Sequence, residues 1–238
     1  MTTMPGSSFA GPAPAFSSEA LALVESLRAD VTALSVGIGE RNLGNKPDQL
    51  EAAATWVEAE LLDAGYSVTP EPFQVNGHPV RNLVADLPGT VAPKELIVIG
   101  AHYDSAEGTP GADDNASGVA LGLALARHFH DTPQPRTVRF VFFTNEEPPY
   151  FRTDAMGSDV SAKRAKARGD DVKAMLSLET MGFFTDAKDS QHYPWPFSGF
   201  YPSTGHFIAF VADTDSRELA HDEEAHEPQR HAQKQQHG

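Results

Sequence analysis

The sequence contains no cysteine among its 238 residues, which removes two classes of site at once. Without thiols the chain forms no disulfide, and it offers no thiolate to a metal ion. Histidine, aspartate and glutamate then remain as the side chains that bind transition metals strongly. Any metal site in this protein is therefore expected to use nitrogen and oxygen ligands.

Basic residues are also scarce. Lys and Arg number 18 against 33 Asp and Glu, which gives a formal net charge of -15 at pH 7. A chain with this charge repels phosphate backbones and anionic lipid, so neither nucleic acid nor a membrane surface is expected as a partner. Cations are the ligands that this charge favours.

Long apolar runs are missing as well. No run reaches the length of about 18 residues that a membrane-spanning helix needs. The N-terminal segment MTTMPGSSFAGPAPAF has neither the basic stretch nor the apolar stretch of a signal peptide. As given, the sequence predicts a soluble protein in the cytoplasm.

Composition divides the chain into three segments. Residues 1–16, rich in Pro, Gly, Ser and Ala, are predicted to form a flexible arm. Large apolar residues disappear near the other end, so a disordered polar tail is predicted at 218–238. The segment between them, 17–217, is predicted to be one domain, because a chain of this length holds one substantial core.

Helical and strand patterns alternate within the middle segment. A helix is predicted to begin at Ser17 or Ser18, and a second near Pro47, because apolar residues recur there at helical spacing. The strands YSVTPEPFQV and VRNLVADL are predicted next, with the turn signal NGHP between them. The later predicted elements are, in chain order, the strand ELIVIGA, a helix over 117–129, the strand RTVRFVFFT, a helix over 158–167 and the strand VKAMLSLE. This alternation predicts an α/β fold with a mostly parallel central sheet and helices on both faces.

Acidic and histidine side chains collect where three of these strands end. ELIVIGA runs into His102 and Asp104, RTVRFVFFT is followed by Glu146 and Glu147, and VKAMLSL is followed by Glu179. Parallel α/β sheets bind their ligands at the carboxyl ends of strands. The three groups are therefore expected to meet at one edge of the sheet.

A fourth acidic group lies in the loop GADDNASG, which contains Asp113 and Asp114. A phosphate-binding loop needs backbone amides and a lysine, whereas this loop supplies carboxylates. Any one of these acidic groups alone is explained as a solvated turn or as a partner of a helix dipole. Their convergence at three strand ends is not explained in that way and favours a metal site.

Such a site suits metal-assisted hydrolysis. The cation polarises a carbonyl and acidifies a water molecule, and a free carboxylate moves the proton. Two cations about 3.5 to 4 Å apart need a bridging carboxylate, for which either Asp113 or Asp114 is suitable. Of the adjacent Glu146 and Glu147, one can bind metal while the other acts as the base.

Four motifs, HYDS, GADDNASG, NEEP and SLETMG, stand in this order in the chain. In this order and at these separations they resemble the zinc-dependent aminopeptidases, which are dizinc exopeptidases related to glutamate carboxypeptidase and glutaminyl cyclase. The resemblance extends from about Asp48 to Arg217. It implies a zinc exopeptidase-like three-layer sandwich that binds Zn²⁺, two ions in the family, and hydrolyses the N-terminal bond of a peptide substrate.

The resemblance also implies residue roles. It gives four metal ligands, with Asp113 bridging two ions, His102 and Glu179 completing the first and Glu147 binding the second. Glu146 would be the general base and acid. Asp104 would orient His102 through its other ring nitrogen, and Asp114 would hold the loop.

One feature of the family has no counterpart here. The family takes a last histidine, on the second metal, from a loop of the SDH type, and His206 lies too early to match it. The remaining candidates have no apolar neighbours to fix them, and these are His221, His226, His231 and His237. The resemblance thus implies a chain truncated at the C-terminus, with one firmly held zinc and a weaker second site.

Two alternatives to an active aminopeptidase stay open. The chain could be a catalytically impaired fragment whose exposed sheet edge is covered by another chain. It could instead be an acyltransferase like the glutaminyl cyclases, which work with one metal. The sequence predicts neither the side-chain preference nor the oligomeric state.

Overall fold

A computed structural model describes residues 15–193, 195, 197–199, 201, 203–216 and 219. The chain forms two compact units, Ser17–Phe184 and a second unit that combines Met1–Phe16 with Thr185–Gly238. The predicted arm and tail lie almost entirely outside the described residues. In the second unit the described residues include a short helical turn at Phe197–Gly199. All strands found in the described residues belong to the first unit, which also contains the predicted site.

Five strands form the sheet of the first unit, and they are β1 (Val68–Val75), β2 (His78–Leu87), β3 (Ala92–His102), β4 (Arg136–Phe143) and β5 (Asp171–Ser177). Their order across the sheet is β1-β2-β4-β3-β5. β3 is parallel to both of its neighbours, β4 and β5. β2 pairs antiparallel with β1 and β4, so a hairpin extends one edge of a parallel core.

The hairpin between β1 and β2 closes at the predicted turn signal NGHP. Asn76 and Gly77 both have positive φ, at 52° and 83°. A two-residue turn with this conformation matches the right-handed twist of the strands that it joins. The register accordingly pairs Val75 with His78.

Four α-helices accompany the sheet, and they are α1 (Ser18–Thr32), α2 (Pro47–Asp63), α3 (Gly118–His130) and α4 (Gly157–Arg168). Ser17 caps α1, because its side chain accepts a hydrogen bond of 3.2 Å from the Ala20 amide. Pro47 occupies the first turn of α2, where its missing N–H costs nothing. Both starts agree with the sequence prediction. In the described ranges, no helix combines the length and the apolar character needed to cross a bilayer.

The larger hydrophobic core lies on one face of the sheet, beneath α2 and α3. Alternation along β4 puts Phe140 and Phe142 into this core and turns Val141 and Phe143 to the other face. Fully buried partners from the helices and from β2 complete the core, and they include Val57, Leu61, Leu83, Val119 and Leu123. Burial of this alternating apolar set fixes the register of the sheet.

The fourth helix, α4, lies on the opposite face. Its last residue, Arg168, contacts the Glu71 carboxylate at 3.0 Å. Glu71 pairs with Asn82, which shares a face of β2 with Val84 of the second, smaller apolar cluster. Helices therefore cover both faces, and the predicted α/β fold class is confirmed.

Strand register brings the predicted site residues to one edge. His102 at the end of β3 lies opposite Phe143 at the end of β4, and Ser177 at the end of β5 lies opposite Gly100. Because the three strands are parallel, the residues that follow them emerge at the same side of the sheet.

Candidate metal centre

His102 is buried at the carboxyl end of β3, with 3% of its surface exposed. Neither of its ring nitrogens makes a well-aligned hydrogen bond to any described residue. Carboxylate oxygens nevertheless surround Nε2, with Asp114 at 3.0 Å, Glu179 at 3.4 Å and Glu146 at 3.9 Å. A buried nitrogen that lacks a hydrogen-bond partner and faces three acids is the arrangement that a cation would satisfy.

Three side chains lie close enough to share one cation. Ligand atoms of His102, Asp114 and Glu147 all lie within 4.8 Å of one another. Glu179 presents a further oxygen to the same ring nitrogen. An imidazole nitrogen combined with carboxylate oxygens is a donor set that Zn²⁺ accepts. The residues present therefore fit zinc.

Asp104 contacts this group through the other ring nitrogen of His102, Nδ1. Its side chain is buried, and one carboxylate oxygen lies 3.3 Å from Nδ1 of His102. The two oxygens accept hydrogen bonds of 3.1 Å each from the backbone amides of Glu146 and Glu147. One carboxylate thus contacts both the histidine at the end of β3 and the paired glutamates after β4.

The two aspartates of GADDNASG point in different directions. Asp114 lies 3.0 Å from Nε2 of His102. Asp113 instead accepts hydrogen bonds from the Gly182 amide at 2.8 Å and the Ser117 hydroxyl at 3.3 Å. Within the described residues Asp113 is not part of the potential metal-binding group. Asp114, and not the predicted Asp113, is therefore the aspartate that faces His102.

Burial, assisted by repulsion between the acids, raises the pKa values of the paired glutamates. Burial raises the pKa of Glu147 to about 7, and the negative charges of Asp114, Asp104 and Glu146 add to the increase, while His102 opposes it. Burial likewise raises the pKa of Glu146. A bound divalent cation would stabilise the charged forms of both glutamates against burial and against repulsion from the neighbouring acids.

The histidine responds in the opposite sense. Burial by itself lowers the pKa of His102, but the nearby carboxylates of Asp104, Asp114 and Glu179 outweigh burial and raise it well above the usual range. The closeness of His102 lowers the pKa of Asp114. The histidine and these carboxylates thus stabilise each other's charged forms.

A buried arginine that the sequence did not single out lies behind the loop. The guanidinium of Arg41 donates to the carbonyl oxygens of Tyr103 at 2.6 Å, Pro110 at 2.6 Å and Gly111 at 2.9 Å. The side chain is fully buried, and burial lowers its pKa to about 10, so it is charged at neutral pH. Arg41 therefore ties the end of β3 to the start of the metal-binding loop.

Sequence comparison matches the model of peptidase family M28 to residues 82–229. The chain belongs to peptidase family M28. This M28 chain is 41% identical over 196 residues to the uncharacterized protein YfbL of Escherichia coli, across 79% of this chain and 59% of YfbL. It is 30% identical over 185 residues to leucine aminopeptidase 1 of Arthroderma otae, across 69% of this chain and 47% of that protein. It thus spans about half the length of the curated relatives that it matches.

Solved structures share the fold of this M28 chain. The zinc aminopeptidase BSAP from Bacillus subtilis superposes with a TM-score of 0.60 at 12% identity, and 71% of each chain is covered. Glutaminyl cyclase of Porphyromonas gingivalis gives a TM-score of 0.55 at 24% identity, across 66% of this chain and 59% of the cyclase. These likenesses confirm a zinc exopeptidase-like fold.

The structure brings together most of the residues predicted for the M28 site, namely His102, Asp104, Glu146, Glu147 and Glu179. Asp113 lies beside them but faces Gly182. His206 belongs to the second unit. The tail histidines fall outside the described residues, and these are His221, His226, His231 and His237.

Proposed function

We propose that this M28 metallopeptidase chain acts as a zinc-dependent aminopeptidase that removes the N-terminal residue of a peptide. The observation that carries the proposal is the buried Nε2 of His102, which faces Asp114, Glu179 and Glu146. Membership of the family and the likeness to a leucine aminopeptidase support it.

The proposed ligands divide unequally between two metal positions. His102, Asp114 and Glu179 would hold one zinc firmly, because three protein ligands leave a position open, as in catalytic zinc sites. A second ion would share Asp114 and take Glu147, whose ligand atoms lie within 4.8 Å of each other, and it would then have two protein ligands instead of three. We therefore expect one firmly bound zinc and a much weaker second one.

Glu146 is proposed as the general base. Bound zinc would polarise the scissile carbonyl and acidify a water molecule. Glu146 lies beside the ligand group, is partly exposed and has a raised pKa, so it can accept the proton of that water and return it to the leaving amine. Asp104 holds Glu146 in place through the backbone amide. The acidic surroundings would also attract the positively charged α-amino group of the substrate.

The test compares Glu146→Gln with Glu95→Gln in zinc-loaded protein. Glu95 is a matched control, since its side chain is 30% exposed against 31% for Glu146, and it pairs with Arg136 away from the site. We expect Glu146→Gln to slow release of p-nitroaniline from leucine p-nitroanilide by at least about 100-fold. Its zinc content should stay normal, and Glu95→Gln should behave like the wild type.

Two outcomes would contradict this proposal. Zinc-loaded wild-type protein without turnover on any aminoacyl p-nitroanilide would instead favour the impaired fragment. Formation of pyroglutamate from an N-terminal glutaminyl peptide, without release of free amino acid, would instead favour the acyltransferase. Both assays use the same preparations, so the three functions are separated directly.

A further inference from the structure

The loop GADDNASG makes a second set of contacts that metal binding does not explain. Asp113, Asn115 and Ser117, which we call the clamp, reach across to residues 178–182, which we call the β5 extension. The side-chain nitrogen of Asn115, Nδ2, donates to the Leu178 carbonyl at 2.8 Å and to the Glu179 carboxylate at 3.3 Å.

The remaining clamp bonds continue along the β5 extension. The Asn115 side-chain oxygen accepts from the Thr180 amide at 3.3 Å, and the Ser117 hydroxyl oxygen accepts from the Met181 amide at 2.8 Å. Asp113 accepts from the Gly182 amide at 2.8 Å. Every residue of the β5 extension is therefore bonded to one member of the clamp.

These bonds begin where the sheet ends. The Leu178 amide still donates to the Gly100 carbonyl of β3 at 2.8 Å. The amides of residues 180–182 bond to the clamp instead, and Thr180 turns the chain with a φ of 48°. The clamp thus substitutes for a strand partner and sets the direction of the chain at Glu179.

Glycine residues in the GADDNASG loop and in the β5 extension allow these two segments to approach each other closely. A Cβ atom added at Gly118 would collide with the Asn115 side chain and the Leu178 carbonyl. A Cβ atom added at Gly182 would press on Asp113 and Ser117, each at 3.1 Å. Asn115 itself is fully buried. The small and polar residues around the two aspartates therefore build the clamp.

Glu179 needs such support because its side chain is not held in place by burial. Its side chain is 46% exposed, yet one oxygen lies 3.4 Å from the buried Nε2 of His102. An exposed glutamate loses rotamer entropy when it is held in a single position. The bonds from the clamp to its side chain and to the neighbouring backbone restrict that freedom.

We propose that Asp113 is a positioning residue, which holds the β5 extension so that Glu179 faces the metal, while Asp114 binds the metal. This inference rests on the proposed metal centre. It predicts that the hydrogen-bond acceptor of Asp113 is needed but its negative charge is not. Asp114, as a ligand, would need its charge.

The experiment measures zinc affinity by competition with a chromophoric chelator, using the full chain. Asp113→Asn keeps an oxygen for the Gly182 amide, and we expect zinc affinity close to that of the wild type. Asp113→Ala removes the acceptor, and we expect a loss of about 10- to 100-fold, as for other groups that orient metal ligands. Asp114→Asn and Asp114→Ala should both lose more than Asp113→Ala.

A double-mutant cycle tests whether Asp113 acts through Glu179. If it does, Glu179→Ala should cost much less zinc affinity in the Asp113→Ala background than in the wild type, because the positioned ligand is already misplaced. Equal losses in both backgrounds would overturn the proposal. A role in general folding alone would leave the two losses additive.

Ser117→Ala keeps the test decisive if Asp113→Ala does not fold. It removes the acceptor of the Met181 amide with little change in volume, and zinc affinity should fall. Ser35→Ala is the matched control, since the Ser35 hydroxyl donates to the Val31 carbonyl at 2.7 Å away from the site, and zinc affinity should not change.

The outcomes separate this inference from the proposed function. Wild-type protein that binds no zinc would overturn both the metal centre and the clamp. Zinc binding by the wild type with an equal loss in Asp113→Asn and Asp114→Asn would overturn the clamp alone and make Asp113 a ligand. The expected affinity pattern without peptidase activity would support the clamp and contradict only the aminopeptidase.

Discussion

The β3–β4 side of the metal centre and the β5 side are held in place by different means. On the β3–β4 side, His102 and Asp104 are buried at 3% and 2% exposure, and β3 has a hydrogen-bonded strand on each side. On the β5 side, Glu179 is half-exposed and follows the edge strand of the sheet. Burial orders the first group, whereas the second depends on side-chain hydrogen bonds from a loop.

The difference shows where a site built on a sheet is vulnerable. A strand flanked on both sides positions the residue at its end through backbone geometry. An edge strand lacks one partner, so the chain beyond it needs polar groups from elsewhere to satisfy its amides. Loss of a buried group should therefore damage both stability and metal binding, whereas changes at the edge should affect mainly metal binding.

The largest effect is expected from Asp104→Ala. It removes a buried carboxylate that contacts two backbone amides and a ring nitrogen, and these groups then lose their partner. We expect the free energy of unfolding of zinc-free protein to fall by about 3 kcal/mol and zinc affinity to fall by about 100-fold. Urea denaturation and chelator competition measure the two quantities.

Asp86→Ala serves as the control for that prediction. Asp86 pairs with Arg139 elsewhere on the sheet and is partly exposed, so its loss should cost no more than about 1 kcal/mol. It should leave zinc affinity unchanged. If Asp104→Ala lost no more stability than Asp86→Ala, the buried side would not depend on its carboxylate as described.

An intermediate effect is expected from Arg41→Lys. The lysine keeps the positive charge but lacks the planar fork that reaches several carbonyl groups at once. We expect a loss of about 1 to 3 kcal/mol in the free energy of unfolding, with a smaller decrease in zinc affinity than for Asp104→Ala. A variant as stable as the wild type in urea would show that the charge alone suffices.

The smallest effect is expected from Thr180→Gly on the β5 side. Thr180 has a φ of 48°, a conformation that costs a residue with a Cβ atom about 1 to 2 kcal/mol. Glycine removes that strain, but it increases the conformational entropy of the unfolded chain, which lowers the free energy of unfolding by about 0.5 to 1 kcal/mol. The net change in stability should be small, and zinc affinity should be kept because the Thr180 amide still bonds to Asn115. A large loss of zinc affinity would mean that the threonine side chain itself holds the β5 extension.

Much of the scaffold is readable from the sequence because it depends on local patterns. Apolar periodicity predicts the helices, the turn signal after β1 predicts the hairpin, and the buried runs predict the parallel core. The convergence of His102, Glu146 and Glu179 follows from one rule, that parallel strands end at the same side of a sheet.

Local patterns do not predict whether Asp113 or Asp114 faces His102. Neighbouring residues in an extended loop point in different directions, and the backbone of that loop decides which one faces His102. Asp114 has φ of -104° and ψ of 97°. Such backbone angles leave no periodic signal in the sequence, so the sequence alone does not show which of the two aspartates faces His102.

Arg41 and the clamp escaped prediction for another reason. Three of the carbonyl acceptors of Arg41 lie 62 to 70 residues further along the chain. Asn115 and Ser117 likewise act on residues 63 to 65 positions away. Side chains with such distant partners look like ordinary polar residues in the sequence, and only the folded chain identifies what they bind.

The same separation has a kinetic consequence for Arg41. Closing a chain segment of that length costs entropy before any contact compensates for it, so we expect such contacts to form late in folding. The helices α1 and α2 and the hairpin depend on short-range contacts and can form early. We expect the metal-binding loop to acquire its shape in the last folding step, so that zinc capture follows folding rather than initiating it.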